Sequence, residues 1–526
     1  MGGRNVTGSD RFTDLTHGQA GWAGLRVVVA GIGVSGFAAA DALLERGAKV
    51  VVLDPRQEQP QRERGIVLDT LGADIRLGPD AVKELPTVAG EPAELLVISP
   101  GWADDHPVLR QALTAGLPVW GEAELAWRLR PATGAAPWLS ITGTRGKATT
   151  ATMLAAMLTA AGHRATAIGQ AGTSLLEAVL HPIPYDVLAV QLSGFQLRWA
   201  TSLQPQSSVC LNVSGTDLDD GPRAARGRVY QNTELACVYN VADPVTEQLV
   251  MDAEVIEGCR AIGFTLGVPA VSMVGLVEDV LCDRAYVAER ITSAAELGTL
   301  DDVRTAGAGL LAVHNIANAL AAATLARGFG VLPADVRDGL RGYLPLRHRL
   351  NPVANSGGVT WVDDSAATDP AAAAAGLATF EHVVWVAGGS LDQGSGLDQG
   401  SAERPTNRDR AGRISAELDQ LVTTHAARLR AVVLVGPDRA VLREALQRHA
   451  PDVPVVEVDV AETGSVPVME VVVARAGQLT LPGDTVLLSP GFGAEPFSTL
   501  DERGSAFVAA VHGRTIDPAE PPNGMS

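Results

Sequence analysis

No stretch of this chain holds the roughly twenty consecutive apolar residues that a membrane-spanning helix needs, which argues against a membrane span. Positive charge is also short: 41 Lys and Arg stand against 60 Asp and Glu, a formal net charge of −19. A phosphate backbone or an anionic bilayer is bound by concentrated positive charge, so nucleic acid is not an expected partner. A single nucleotide needs only a local pocket and stays open. Cysteine is scarce, with Cys210, Cys237, Cys259 and Cys282 forming no C-x-x-C pair. The spacing of a metal site is therefore missing, and buried thiols in a reducing compartment are expected. Residues 1–24 lack a signal-peptide apolar run and read as a polar, flexible arm. A cytoplasmic protein is the expectation. Aromatics make up only 4%, but 46% apolar and 19% charged residues describe an α/β globular chain, long enough for two to four domains.

What the sequence does have is glycine placed after apolar strands. Ile141-Thr142-Gly143-Thr144-Arg145-Gly146-Lys147-Ala148-Thr149-Thr150 has the form of a phosphate-binding loop. In such loops backbone N–H groups wrap the phosphates, a lysine meets the terminal ones and a following hydroxyl ligates Mg²⁺. Gly143, Gly146 and Lys147 suit the first two tasks; Ala148 has no hydroxyl for the third. Earlier in the chain, the strand Leu25 to Ala30 leads into Gly31-Ile32-Gly33-Val34-Ser35-Gly36, and a second strand ends in Asp54. Glycines between strand and helix place phosphate at a helix N-terminus, and the acid stands where a ribose would be met. The same glycines also suit a tight strand–helix packing turn.

Further apolar runs extend the alternation. Leu95 to Gly101 continues the first domain to about residue 130, and strands at 138–142, 187–191 and 207–212 build a second domain over 131–344. Near 345 the pattern restarts, with strands at 359–364, 382–387, 431–435 and 484–488. Strands separated by helical segments predict parallel sheets. The expected fold is therefore α/β with three domains: a Rossmann-like domain at 25–130, a central P-loop ATPase-like domain, and a C-terminal Rossmann-like domain at 345–526. The near-duplicated segment after Gly389 predicts a mobile loop over 389–413.

These motifs, in this order, resemble the Mur ligases of peptidoglycan synthesis. They are GIGVSG at Gly31, SPG at Ser99, GTRGKATT at Gly143, QLSGFQL at Gln191, LNVSGTDLDD at Leu211, HNIAN at His314, HR at His348, DDSAATDP at Asp363, AGG at Ala387, LSPGFG at Leu488 and ERG at Glu502. The branch most resembled is the one that adds D-glutamate to UDP-N-acetylmuramoyl-L-alanine. The resemblance implies that ATP phosphorylates a carboxylate and an amine then attacks the acyl phosphate. It implies a UDP-substrate site at Gly31, Gly33, Val34, Ser35, Gly36, Asp54, Ser99, Pro100, Gly101, Ser193 and Gln196. ATP is implied at Gly143, Thr144, Arg145, Gly146, Lys147, Thr149, His314, Asn315, Asn318 and Asp364, and the amino acid near Thr368 and Phe497. For His314 a helix-capping or core role stands beside the adenine-facing one.

The implied metal positions are where this sequence departs. Ala148 stands for Thr or Ser, Gln191 for a ligating Glu, Asp217 for His, and Arg226 for a carbamylated Lys; Gly194 replaces a serine. On the substrate side Ala366 and Gln393 stand for lysines, and Ala494 or its neighbour for a serine. Asp217 is the one candidate metal ligand left, and Mg²⁺ is in doubt. Arg145 and Arg226 could supply fixed positive charge instead. The expectation drawn from this set is a binding protein with ligation lost or strongly reduced, acting as a regulator or scaffold, with another Mur ligase as a candidate partner. The alternative is a working D-glutamate ligase with a rewired metal site. A folylpolyglutamate-type ligase is disfavoured by the GIGVSG-bearing first domain.

Overall fold

The computed structural model describes residues 12–169, 174–307, 309–391, 407–459 and 466–516. Three sheets carry the chain. The first consists of β1 (Arg26–Ala30), β2 (Lys49–Asp54), β3 (Asp74–Leu77), β4 (Leu95–Ile98) and β5 (Val119–Gly121), in the order β3-β2-β1-β4-β5. All neighbours in it run parallel. Its central strands are unbroken apolar runs because helices cover both faces, and a parallel sheet leaves neither face to water.

Nine strands form the second sheet, in the order β14-β13-β12-β11-β10-β9-β6-β8-β7. They are β6 (Trp138–Thr142), β7 (Ala165–Ile168), β8 (Val187–Gln191), β9 (Ser207–Cys210), β10 (Ala236–Asn240), β11 (Arg260–Phe264), β12 (Met273–Val277), β13 (Val280–Asp283) and β14 (Ala295–Thr299). The antiparallel extension of β12, β13 and β14 was not anticipated. The third sheet has the order β15-β16-β20-β17-β18-β19, with β15 (Asn351–Ser356), β16 (Val359–Asp363), β17 (Val383–Ala387), β18 (Leu429–Val435), β19 (Val455–Val458) and β20 (Thr485–Leu488). Only its edge strand β15 is antiparallel. The architecture is α/β with three parallel-sheet domains.

By compactness the chain divides into two units rather than three. One runs to Asp302 and resumes over Ala317–Tyr343; the other comprises Val303–Ile316 and the described chain from Leu344 onward. The first two sheets share a unit because one apolar cluster joins them: Val27, Val29 and Leu43 belong to the same core as Trp138, Leu188 and Val190. Trp127 meets Trp138 edge to face, ring centroids 5.1 Å apart.

Two expectations need correction. Of the supposed flexible arm, residues 1–11 lie outside the described set, but 12–24 are anchored by buried side chains. Leu15 and Trp22 are 1% exposed, Phe12 sits edge-on to Trp120, and the Arg128 guanidinium donates to the carbonyls of Phe12 and Leu15. Isolated apolar residues without a period hid this packing. The predicted loop over 389–413 falls partly outside the described residues, Gln393 included, and from Asn407 it is a helix, Asn407–His425. No helix among the described residues is long and apolar enough to cross a membrane.

Candidate active site

Both glycine loops follow the strand at which the connection order of their sheet reverses: β1 lies between β2 and β4, and β6 between β8 and β9. Such switch points open a crevice at the carboxyl ends of the strands, where α/β sheets bind ligands.

At the first loop, close approach rather than turn geometry alone requires glycine. A Cβ on Gly36 would stand 1.8 Å from the Gly31 carbonyl oxygen, and one on Gly31 (φ +104°) 2.8 Å from Cβ of Ser99. A Cβ on Gly33 would meet nothing. Asp54 ends β2 and accepts from the Ile32 amide at 2.9 Å, the Arg56 amide at 2.9 Å and the Arg56 guanidinium at 3.0 Å. Burial pushes its carboxyl up, but the hydrogen bonds from Arg56 and from the two amides outweigh that and hold it below the usual range. The residue expected at a ribose thus latches its own loop. Ser35, at the start of the helix Val34–Glu45, donates to Glu122 at 2.5 Å. Buried Glu122 also accepts from the Ser174 hydroxyl at 2.6 Å and the Leu175 amide at 2.7 Å. It joins the first loop to the central domain, and no motif had singled it out. Ser99 is buried beside Gly31 and Gly36, while Pro100 and Gly101 are exposed. Ser193 and Gln196 form a reciprocal capping box on the short helix Gly194–Arg198.

The second loop joins β6 to the helix Lys147–Ala160 through Gly143 (φ +144°) and Gly146 (φ +85°). A Cβ on Gly146 would reach 2.4 Å from Asn318 Oδ1, and Thr150 donates to the same oxygen at 3.3 Å. Asn318 therefore belongs to this loop. Lys147 donates to the carbonyls of Gly143 and Thr144, at 2.7 and 3.2 Å. Arg145 is tied by its amide to Asn212 Oδ1 and by its guanidinium to the Ser214 hydroxyl. Ala148 and Thr149 lie on the first helical turn, half-buried.

Around this loop the departing residues converge. Asp217, on the turn Gly215–Leu218, accepts at Oδ2 from the Thr144 hydroxyl at 2.6 Å and from Arg226 Nη2 at 2.5 Å. Arg226 is fully buried at the end of the helix Asp220–Gly227 and also donates to the Thr142 hydroxyl at 3.2 Å. Gln191 closes β8 opposite Ile141, 7% exposed, its Oε1 without a hydrogen-bond donor among the described residues. Gly194 borders the guanidinium, a Cβ there standing 3.9 Å from Arg226 Cζ in ordinary contact. Among the described residues no group of three His, Cys, Asp or Glu side chains could hold a metal ion. A divalent hard cation takes anionic or carbonyl oxygens, and here the Asp217 carboxylate already faces a guanidinium. This donor set does not fit a divalent ion held by protein side chains at Asp217.

The second unit holds the remaining candidates. His348 lies between Asp363 Oδ2 at 2.6 Å and Asp501 Oδ1 at 3.0 Å. Asp364 accepts from the Ser489 hydroxyl and the Leu350 amide, and burial pushes its carboxyl up to about 7. Ala366 donates its amide to the His348 carbonyl, and Thr368 is half-buried. Phe497 packs on the cluster of Val359 and Trp361, and Ala494 is buried. The ERG motif is structural: Arg503 donates to the carbonyls of Ser365 and Gly493, and a Cβ on Gly504 would collide with His348 Nδ1 at 2.1 Å. His314 and Asn315 are half-buried at the start of the helix Val313–Phe329. Burial, then the charge of Arg349, lowers the His314 imidazole below its usual value.

Residues 25–121 match the family described as Mur ligase MurD-like, N-terminal domain, and 348–492 match Mur ligase, glutamate ligase domain. A UDP-N-acetylmuramoylalanine–D-glutamate ligase of Streptomyces avermitilis is 48% identical over 498 residues, 94% of this chain and 99% of that protein. One of the same name from Leifsonia xyli is 44% identical over 521 residues, 96% and 95%. The chain belongs to the MurD branch of the Mur ligases. In fold it is similar to the alanine ligase MurC of Thermotoga maritima, with TM-score 0.52 and 16% identity over 93% of this chain and all of that one. It is also similar to the D-alanyl-D-alanyl ligase of Acinetobacter baumannii, with TM-score 0.53 and 14% identity over 92% and 93%.

These matches overturn the expectation that ligation is lost or strongly reduced. MurD relatives sharing nearly half of this sequence over almost its whole length carry the ligase's name. The physical error lay in counting Asp217 and Arg226 as separate losses. In the structure they are one ion pair, bonded to the loop threonines on both sides.

Proposed function

We propose that this chain is an active ATP-dependent ligase joining UDP-N-acetylmuramoyl-L-alanine to D-glutamate, with ADP and phosphate as the other products. The observation that carries the reading is the 48% identity spanning 94% of this chain to a ligase of that name. The near-complete Gly143–Lys147 loop supports it.

In this reading the γ-phosphoryl group moves from ATP to the terminal carboxylate of the L-alanyl group. The amine of D-glutamate then attacks the acyl phosphate carbon, an amide bond forms, and phosphate leaves. Phosphoryl transfer is catalysed mostly by positioning and charge stabilisation. Gly143, Gly146 and Thr149 offer backbone and hydroxyl donors to the phosphates, while the amides of Thr144 and Arg145 hold the loop to Asn212, with Asn318 bracing Gly146 and Lys147 supplying the charge. Gly31, Gly33, Val34, Ser35, Gly36 and the Ser99–Gly101 turn would seat the uridine diphosphate. Ser193 and Gln196 would face the muramoyl-alanine, and Thr368 and Phe497 the amino acid. His314, Asn315 and Asp364 are assigned to the nucleotide. Asp217, paired with Arg226, does not offer a divalent ion a place in either step. ATP and the UDP-linked substrate are intracellular nucleotides, so the reading takes the reaction to be cytoplasmic.

Purified chain with magnesium ATP, the UDP-linked substrate and D-glutamate tests the reading. Phosphate release dependent on D-glutamate, at about one turnover per second or more, together with a product one glutamyl residue heavier, is the expected result. Neither signal appearing would overturn it.

A further inference from the structure

Arg226 joins three segments that a nucleotide-binding loop must keep in register. Its Nη1 donates to Thr142, the last residue of β6, whose hydroxyl in turn donates to the Leu192 carbonyl at 2.8 Å. Its Nη2 meets Asp217 Oδ2, and that oxygen also takes the hydroxyl of Thr144 inside the phosphate loop. Thr144 Oγ1 then accepts from the Ser214 amide at 3.0 Å. One buried cation therefore sets the strand end, the loop and the turn Gly215–Leu218 through an unbroken series of hydrogen bonds. Hydrogen bonds to charged groups are the strong ones, and the planar guanidinium fixes their directions. At the end of the neighbouring strand β8, Gln191 brings a buried amide oxygen with no donor among the described residues, neutral where a carboxylate would have demanded a second cation.

We propose that Arg226 is a positioning residue that shapes the phosphate loop through Asp217 and Thr144, serving in place of a divalent ion held by protein side chains. Nucleotide binding by this chain then needs no ion at that position. The inference rests on the ligase reading for its ligand class, but its test does not depend on turnover.

Calorimetric binding of ADP to the full chain is measured in excess EDTA and again in excess Mg²⁺. The wild type is expected to bind in both, with affinities within about threefold. Arg226→Met is expected to weaken binding in EDTA by at least about tenfold, and Arg226→Lys, which keeps the charge but not the planar fork, to restore only part of it. Because Arg226→Met leaves Asp217 facing no buried partner, the double variant Arg226→Met/Asp217→Asn removes both charges and protects the fold. It is expected to melt near the wild type yet bind as weakly as Arg226→Met. Wild-type binding that vanishes in EDTA and returns with Mg²⁺ overturns the proposal, as does a double variant that binds ADP like the wild type. A chain that ligates but binds ADP only with Mg²⁺ refutes this inference and leaves the ligase reading intact. Metal-free binding without ligation does the reverse.

Discussion

Both glycine loops of the first unit follow the switch strand of a parallel sheet, yet they are latched by opposite charges. Around Gly31–Gly36 the latches are acids: Asp54 takes the Ile32 amide, and Glu122 takes the Ser35 hydroxyl. Around Gly143–Lys147 the organising group is a buried cation, Arg226, acting through Asp217. An anionic latch needs backbone donors to satisfy it, and the first loop turns part of its N–H supply inward. The second loop gives its threonine hydroxyl to the latch and keeps a cationic core, which on the ligase reading is the better arrangement for a nucleoside triphosphate.

The largest break of this comparison comes from sterics at the first loop. Gly36→Ala places a methyl 1.8 Å from the Gly31 carbonyl oxygen, which the backbone cannot absorb without opening the loop. A loss of at least about 3 kcal/mol is expected from overpacking of this kind, read as a lowered urea midpoint. Gly33→Ala is the control: its Cβ would meet nothing and its φ of −66° is ordinary, so a change within about 1 kcal/mol is expected. Equal losses from the two would refute close approach as the reason for glycine.

At the second loop the corresponding effect is smaller. Gly146→Ala meets the far end of the Asn318 side chain at 2.4 Å, which can swing away, so conformation dominates. An alanine at φ +85° costs about 1–2 kcal/mol, and loss of ADP affinity is expected alongside. Asn318→Ala added to Gly146→Ala should recover only a minor part of the stability. Full recovery would show the clash, not φ, to be the cause.

How much of this was legible in the sequence follows from the range of the interactions. The strands were legible because β-branched runs bounded by Gly and Pro need no partner to be recognised; the β12–β14 hairpin was not, because its short strands mix Gly, Cys and acids with apolar residues. Gly143, Gly146 and Lys147 were legible as a loop. The Arg226–Asp217 pair was visible only as two departures, since nine residues and a turn separate them and their contact is tertiary. Glu122 carried no motif at all, being one of two acids in a helix's first turn, with partners 87 and 52 residues away. Leu15 and Trp22 were misread because period, the main signal of a packed segment, is absent from so short a stretch.

The smallest expected effect sharpens the comparison through pH. Asp54→Asn keeps one carbonyl acceptor but loses the charge-assisted bonds to Arg56, and about 1 kcal/mol of local stability should go with them. The folded Asp54 carboxyl lies below its ordinary value of 3.8. Its contribution is therefore present above that value and is lost as pH falls through the lower, folded one. Hydrogen exchange at the Ile32 amide reads this directly, since that N–H is bonded to Asp54. At neutral pH the wild type should protect Ile32 several-fold better than the Asp54→Asn variant, about 1 kcal/mol of opening free energy. As pH drops below 4 the two should converge, once exchange is corrected for its own chemistry. A gap that stays constant to low pH would mean that the Ile32 bond owes nothing to the carboxylate's charge, and the contrast between an anionic and a cationic latch would lose its first half.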